Sequence, residues 1–296
     1  MSEDFLTAQG QTEMILAAAR LRPLSGPAFE GGAEVHLITG EAFWHQTSFC
    51  AYSFILQAGG QPRIVIHDDG TLKAERARFL RRLFPHATVR PYEETEQRLE
   101  QHFPRRKFPL LNARSRGCVV MRKLTAVHGG STGWKLFLDS DMLFFRPPPL
   151  LADWVRAPRQ PCHAQEHKRV YGYSEKLMAS LAGDGIPEKL NSGVCGLQSD
   201  EIDWEQLEHW AARLEEQEGQ RYLIEQALTG LLLAGRPRLA LPVDEYVVCP
   251  DEAEAIEPCA AMHHYAGHTR PLLFRYGWRH VVEQARGFAP ADYDHS

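Results

Sequence analysis

Between Trp134 and Phe145 the chain reads WKLFLDSDMLFF, its most apolar stretch, interrupted only by two carboxylates. A run this apolar reads as a strand covered on both faces, and such strands belong to sheets flanked by helices. The rest of the sequence supplies both. EVHLIT (34–39) is a buried-strand pattern, followed by a helix over Phe43–Gln57 that Gly59-Gly60 ends. PRIVIHDDG is a second strand, LKAERARFLRRLF an amphipathic helix, ATVRPY a third strand, and Tyr92–His102 a polar helix. A helical stretch at Met121–His128 leads into WKLFLDSDMLFF. Beyond it come a strand near Gly193–Leu197, helices over Trp204–Gln217 and Arg221–Ala234, and strands near Arg238–Leu241 and Ala261–Tyr265. The alternation predicts an α/β fold with a mixed, mostly parallel sheet.

Composition narrows the class. Thirty-three Lys+Arg against 38 Asp+Glu leave a net charge of −5, which excludes a strongly basic chain that blankets nucleic acid. No apolar run approaches the ~18 residues of a membrane span. The start, MSEDFLTAQG, has no basic region followed by an apolar core. The six cysteines form no C-x-x-C pair and read as reduced thiols, so a cytoplasmic location is expected. Residues 1–32 read as an extension with one helix over Thr12–Leu21, residues 33–280 as a single domain, and 281–296 as a polar tail. Nothing between them resembles a Ser/Gly linker.

The chemistry begins at Asp139-Ser140-Asp141. The carboxyl end of a strand is where ligands collect in α/β sheets. Two acids at i and i+2, with no Lys or Arg beside them in sequence, repel unless a positive charge lies between them. A hard divalent cation bridging them to a diphosphate would satisfy both; the plain alternative is a strand-end turn with solvated carboxylates. A second D-x-D, Asp292-Tyr293-Asp294, lies in the polar tail and reads as incidental. In MHHYAGHTRPL (262–272) a short apolar strand runs into His264; Gly267 then frees the backbone and Arg270 offers a planar fork for phosphate oxygens. LNSGVCGL (190–197) places Asn191-Ser192-Gly193 at the opening of an apolar strand, or in an ordinary turn.

Taken in order, these segments resemble the glycosyltransferases of family 8, which have the GT-A fold and retain anomeric configuration. The family pattern is an apolar strand ending in D-x-D, then N-[SA]-G, a D-Q pair, L-P, and H-[FY]-x-G-x-x-K-P-W. This chain has LDSD at 138–141, NSG at 191–193, Glu225-Gln226, Leu241-Pro242 and HYAGHTRP at 264–271. Glu225 stands for Asp, Arg270 for Lys and Leu272 for Trp. The resemblance implies a Rossmann-like GT-A domain and transfer of a hexose from a nucleotide sugar, a UDP-sugar above all. Asp139, Asp141 and His264 would hold one Mn²⁺ or Mg²⁺. Gly267 and Arg270 would bind the phosphates, with Ser140 and Lys123 beside the donor; a solvated helix face is the other reading of Lys123. Thr39 and Gly40 would contact base or ribose through backbone or hydroxyl groups. Phe43 or Trp44 would stack on the base, unless both anchor the core. Asn191, Glu225 and Gln226 would line the sugar side. A covalent intermediate and front-side attack both yield retention; Gln226 is a poor nucleophile and Glu225 a chemically better one, but nothing in the sequence brings Glu225 to the anomeric carbon, and the front-side route is favoured.

Two rivals stand beside this reading: an inverting GT-A enzyme, and an inactive relative that binds nucleotide or glycan. The remaining features have plainer readings. Asp68-Asp69-Gly70 is a turn. His163 and His167, at i and i+4, lack a third ligand nearby and read as surface or acceptor-loop residues. Arg81-Arg82 and Arg105-Arg106-Lys107 read as solvated faces. Tyr171 and Tyr173 either stack on an acceptor sugar or pack a loop. The acceptor itself is not encoded in any of these motifs.

Overall fold

A computed structural model describes residues 2–24 and 26–287. Among them are ten strands: β1 Glu34–Thr39, β2 Arg63–Asp68, β3 Thr88–Arg90, β4 Trp134–Leu138, β5 Met142–Phe144, β6 Cys162–Gln165, β7 Leu190–Gln198, β8 Leu239–Ala240, β9 Tyr246–Val248 and β10 Met262–His264. Seven form one sheet in the order β3-β2-β1-β4-β7-β6-β8, and β5-β10-β9 form a second. From β3 to β4 the large sheet is parallel; β7 then runs antiparallel to both β4 and β6. The sheet is mixed and mostly parallel, with helices in the crossovers.

The segment read as one strand from Trp134 to Phe145 is two strands in two sheets. Asp139 N donates to the Gly193 carbonyl at 2.8 Å, extending the ladder of the large sheet. Asp141 accepts from Tyr265 N at 2.9 Å, opening the ladder of the small one. Leu136, Leu138, Met142, Leu143 and Phe144 are all fully buried in one core, so apolar continuity gives no sign of the break. Asp139-Ser140-Asp141 is therefore the joint between the sheets.

The helix Trp44–Ala58 covers that joint, with Phe54 packed on Phe144 at 4.9 Å between ring centroids. Gly59, in the left-handed conformation, ends it where Gly59-Gly60 is expected to. The first helix runs Glu3–Ala18 rather than Thr12–Leu21 and begins at a Ser2 cap. Its polar first half is helical because it docks: a Cβ at Gly10 would stand 2.2 Å from the Phe274 carbonyl oxygen, and Met14 is fully buried. The last described helix, Trp278–Gly287, runs across residue 280. Asp292-Tyr293-Asp294 lies outside the described residues. A second core, centred on Leu207, Leu214 and Leu228, lies under the helices Trp204–Glu218 and Ile224–Leu232 and includes Tyr171 and Tyr173. Those two tyrosines pack the fold and leave no face for a sugar. Among the described residues no helix is long and apolar enough to cross a membrane.

Candidate active site

The register of the small sheet sets His264 opposite Met142, one residue beyond the joint. His264 Nε2 then lies 3.3 Å from Asp141 Oδ1 and 3.7 Å from Asp139 Oδ2. One ligand atom from each of these residues falls within 4.8 Å of the others. Asp141 and His264 are buried and Asp139 half-buried. The adjacent motif 191–193 is part of β7, not a turn, and it organises the imidazole. Gly193 N donates to Asn191 Oδ1 at 2.9 Å, so that atom is an acceptor and must take the proton of His264 Nδ1, 3.1 Å away. Nε2 is thereby turned toward the carboxylates, the arrangement in which metal-binding histidines are held. Asn191 Nδ2 donates in turn to Glu166 at 2.6 Å. Gly193 provides the room: a Cβ there would stand 2.4 Å from His264 Cε1.

The fold also brings cations to both acids. Lys123 Nζ is 2.8 Å from Asp139 Oδ2, and Arg270 Nη2 is 2.8 Å from Asp141 Oδ2. No Lys or Arg lies beside the pair in sequence; helix Arg122–His128 and the segment after β10 deliver these cations from elsewhere along the chain. Lys123 is thus no solvated helix-face residue. Burial alone would raise the Asp141 carboxyl, but His264 and Arg270 hold it well below the usual carboxylate range. Burial opposes the charge on His264, yet the attraction of Asp141 and then Asp139 raises its pKa above the ordinary value. Two carboxylate oxygens and one imidazole nitrogen, the latter oriented by Asn191, fit a hard-to-borderline divalent cation.

No protein-family model and no curated protein sequence matches the chain. Solved structures do. Mouse xyloside xylosyltransferase 1 superposes with a TM-score of 0.53 over 80% of this chain and 98% of its own, at 14% identity. The galactosyltransferase LgtC, solved with donor and acceptor sugar analogues, gives 0.54 over 86% and 95%, at 15% identity. The bifunctional glycosyltransferase WbbM gives 0.56 over 88% of this chain and 50% of its own, at 13% identity. The chain has the GT-A fold.

On this GT-A framework the remaining expected residues scatter more widely. Thr39 is buried, and its hydroxyl accepts from Thr47 Oγ1 at 2.8 Å, so it is not open to a ribose or base. Gly40 is small because the turn after β2 folds over it: a Cβ would meet Asp69 Oδ2 at 2.2 Å. Asp68 and Asp69 are spent on that turn, accepting from Gly70 N and Thr71 N. Of the two aromatics, Phe43 is 40% exposed; Trp44 is buried edge-on against Phe79, with Arg76 over its ring. Ser140 is half-buried at the joint. Gly267 has φ +55° and nothing near a would-be Cβ, leaving its backbone open to approach. Arg270 is half-exposed, and Leu272 is buried in the core where the pattern has Trp.

Glu225 and Gln226 are buried side by side against β7. Glu225 accepts from Ser192 Oγ at 2.7 Å and Thr229 Oγ1 at 2.9 Å, and burial raises its pKa against the pull of Lys123. Gln226 Oε1 accepts from Ser192 N at 3.1 Å, and its Nε2 donates to the Val170 carbonyl. Both carboxylate oxygens and both amide ends are thus engaged within the protein. Of His163 and His167, read as surface or acceptor-loop residues, only His167 is exposed. His163 is buried on β6, and His167 binds the Val248 carbonyl at 2.9 Å. Arg81, Arg82 and Arg105–Lys107 are exposed while Phe103 and Phe108 are buried, so no basic face interleaved with aromatics exists there.

Proposed function

We propose that the protein is a glycosyltransferase that moves a hexose from a nucleotide sugar, a UDP-sugar, to an acceptor with retention of configuration. One observation carries the reading: on a GT-A fold, Asp139, Asp141 and an Asn191-oriented His264 converge at the joint of the two sheets. These three would hold Mn²⁺ or Mg²⁺, which when bound neutralises charge on the leaving diphosphate. Arg270 lies half-exposed at the edge of the cluster, and Lys123 lies within it; both are set to receive phosphate charge in place of part of their carboxylate contacts. Gly267 gives the backbone close access, and Phe43 offers an exposed face to the base.

The engagement of Glu225 and Gln226 with Ser192, Thr229 and Val170 leaves neither aimed as a nucleophile. They fix the wall of the sugar site, and the front-side route follows, with the leaving phosphate taking the acceptor's proton. Six free thiols fit a cytoplasmic location. The test is incubation with a panel of nucleotide sugars and Mn²⁺, reading the anomer of the sugar released or transferred. Retention supports the proposal, inversion replaces it with the inverting rival, and no turnover of any donor replaces it with a binding protein.

A further inference from the structure

Three helices enclose a trough of about 930 Å³ that shares no lining residue with the metal cluster. The helices Glu3–Ala18, Trp44–Ala58 and Trp278–Gly287 run side by side in one direction. Gly10 lies against Phe274, and Glu13 then meets Arg279 at 2.6 Å. On the other flank Phe49 packs on Trp278 at 5.9 Å between ring centroids, and Gln57 Nε2 donates to Gln284 Oε1 at 2.9 Å. Residues 22–24 and 26–27 close one side of the trough. Gln61 pins them: its Nε2 donates to the Leu24 carbonyl at 2.8 Å and its backbone N to the Pro27 carbonyl at 2.9 Å. Small-molecule sites have this volume and this kind of lining, mostly apolar with a few polar groups.

The polar groups stand at two ends. Tyr52, between Phe49 and Gln57 on the middle helix, lines the trough and is only 5% exposed. Its hydroxyl has no hydrogen-bond partner among the described residues, where a buried hydroxyl normally has one. About seven residues further along, roughly 10 Å at the helical rise, the lining ends at Gly59 and at the exposed Arg20 and Arg286. Neither arginine forms an ion pair among the described residues. The acid in the lining, Glu13, is already bound to Arg279 and Gln9. Helix C-termini draw cations, which suits arginines at that end. It accounts neither for the unpaired phenol nor for Leu16, left 56% exposed in the lining. A ligand that satisfies all of these has an aliphatic body, a hydroxyl at its inner end and an anion at its outer end.

We propose that this trough binds a two-headed amphiphile, an aliphatic carboxylate with a hydroxyl at its far end. The carboxylate meets Arg20 and Arg286, the chain lies along Leu16, Ile55 and Val282, and the hydroxyl pairs with Tyr52. The test is calorimetric titration of the full chain with ω-hydroxydecanoate, decanoate and decan-1-ol. It needs neither donor nor metal, so its outcome is separate from that of the transfer reading. ω-Hydroxydecanoate should bind saturably at one per chain, about fivefold tighter than decanoate, the scale of one hydrogen bond. Tyr52→Phe should bring it down to the affinity of decanoate and leave decanoate itself unchanged. Arg20→Gln combined with Arg286→Gln should weaken both acids about tenfold and leave decan-1-ol unchanged, with thermal melts confirming that each variant is folded. Absence of saturable binding overturns the proposal, as does equal affinity for both acids in the parent or no loss in the double variant. Binding that appears only when Asp292 and Asp294 are both replaced by Asn assigns the trough to residues 288–296 and overturns it too. So does a dimer that the acids dissociate, which would give the trough to a second copy of the chain.

Discussion

Replacing Gly193 with Ala should loosen the metal site without unfolding the protein. A Cβ at this position would stand 2.4 Å from His264 Cε1, 2.7 Å from Met142 Cε and 2.8 Å from Asn191 Oδ1. Carbon atoms pack at about 3.5–4 Å, so the imidazole must retreat by roughly 1 Å. The 3.1 Å bond from Nδ1 to Asn191 then breaks, and Nε2 loses its aim. Overpacking of this kind costs about 1–3 kcal/mol of stability. Loss of the group that orients a metal-binding histidine lowers metal affinity by about 10–100-fold. Gly196→Ala is the control on the same strand. Its Cβ would meet Trp154 at 2.4 Å, on the packed side of the sheet, so it should lower the melting temperature and leave Mn²⁺ affinity unchanged. Mn²⁺ titration followed by electron paramagnetic resonance, with a thermal melt of each variant, reads both effects. Gly193→Ala that binds Mn²⁺ as tightly as the parent would refute the inference that β7 positions His264.

Other perturbations follow from the same contacts. Protonated His264 cannot ligate, and its pKa is raised, so Mn²⁺ affinity should climb as pH rises through a value above about 6.5 and then level off; a flat titration from about pH 6 to 8.5 would refute this. In the metal-free protein the sign reverses for stability: the contribution from charged His264 is complete below the unfolded value and is lost as pH rises through the raised folded one. Arg270→Lys keeps the charge but loses the fork and should cost about 1–2 kcal/mol of UDP binding by calorimetry, while Leu272→Ala acts mainly on stability. Phe43→Ala should weaken UDP with little change in melting, whereas Trp44→Ala should cost about 3–5 kcal/mol of stability; the reverse pattern would assign the stacking face wrongly. Gln226→Ala should lower turnover while UDP affinity is nearly unchanged.

How much of this was legible in the sequence depends on the range of the interaction. Strand and helix periodicity set out β1 through β4 and their crossovers because each pattern is local. The metal candidates were legible for the same reason: each is a short motif at the end of an apolar strand. The break at Asp139 was hidden because both flanks enter one core. The pairing of Lys123 with Asp139 and Arg270 with Asp141 spans 16 and 129 residues and leaves no local mark. Asn191 is legible as a motif residue, but its partner, His264, lies 73 residues on, so its role as the imidazole's acceptor is not.

The central claim is that Asp139, Asp141 and His264 hold one divalent ion joining the protein to the nucleotide diphosphate. Thermal stabilisation by UDP tests it most directly. A ligand at about a hundredfold excess over its Kd adds about 2.7 kcal/mol to the native state, a shift of several degrees in a protein of this size. With Mn²⁺ present UDP should produce that shift, and EDTA or Asp141→Asn should abolish it. An undiminished UDP shift in EDTA would contradict the claim.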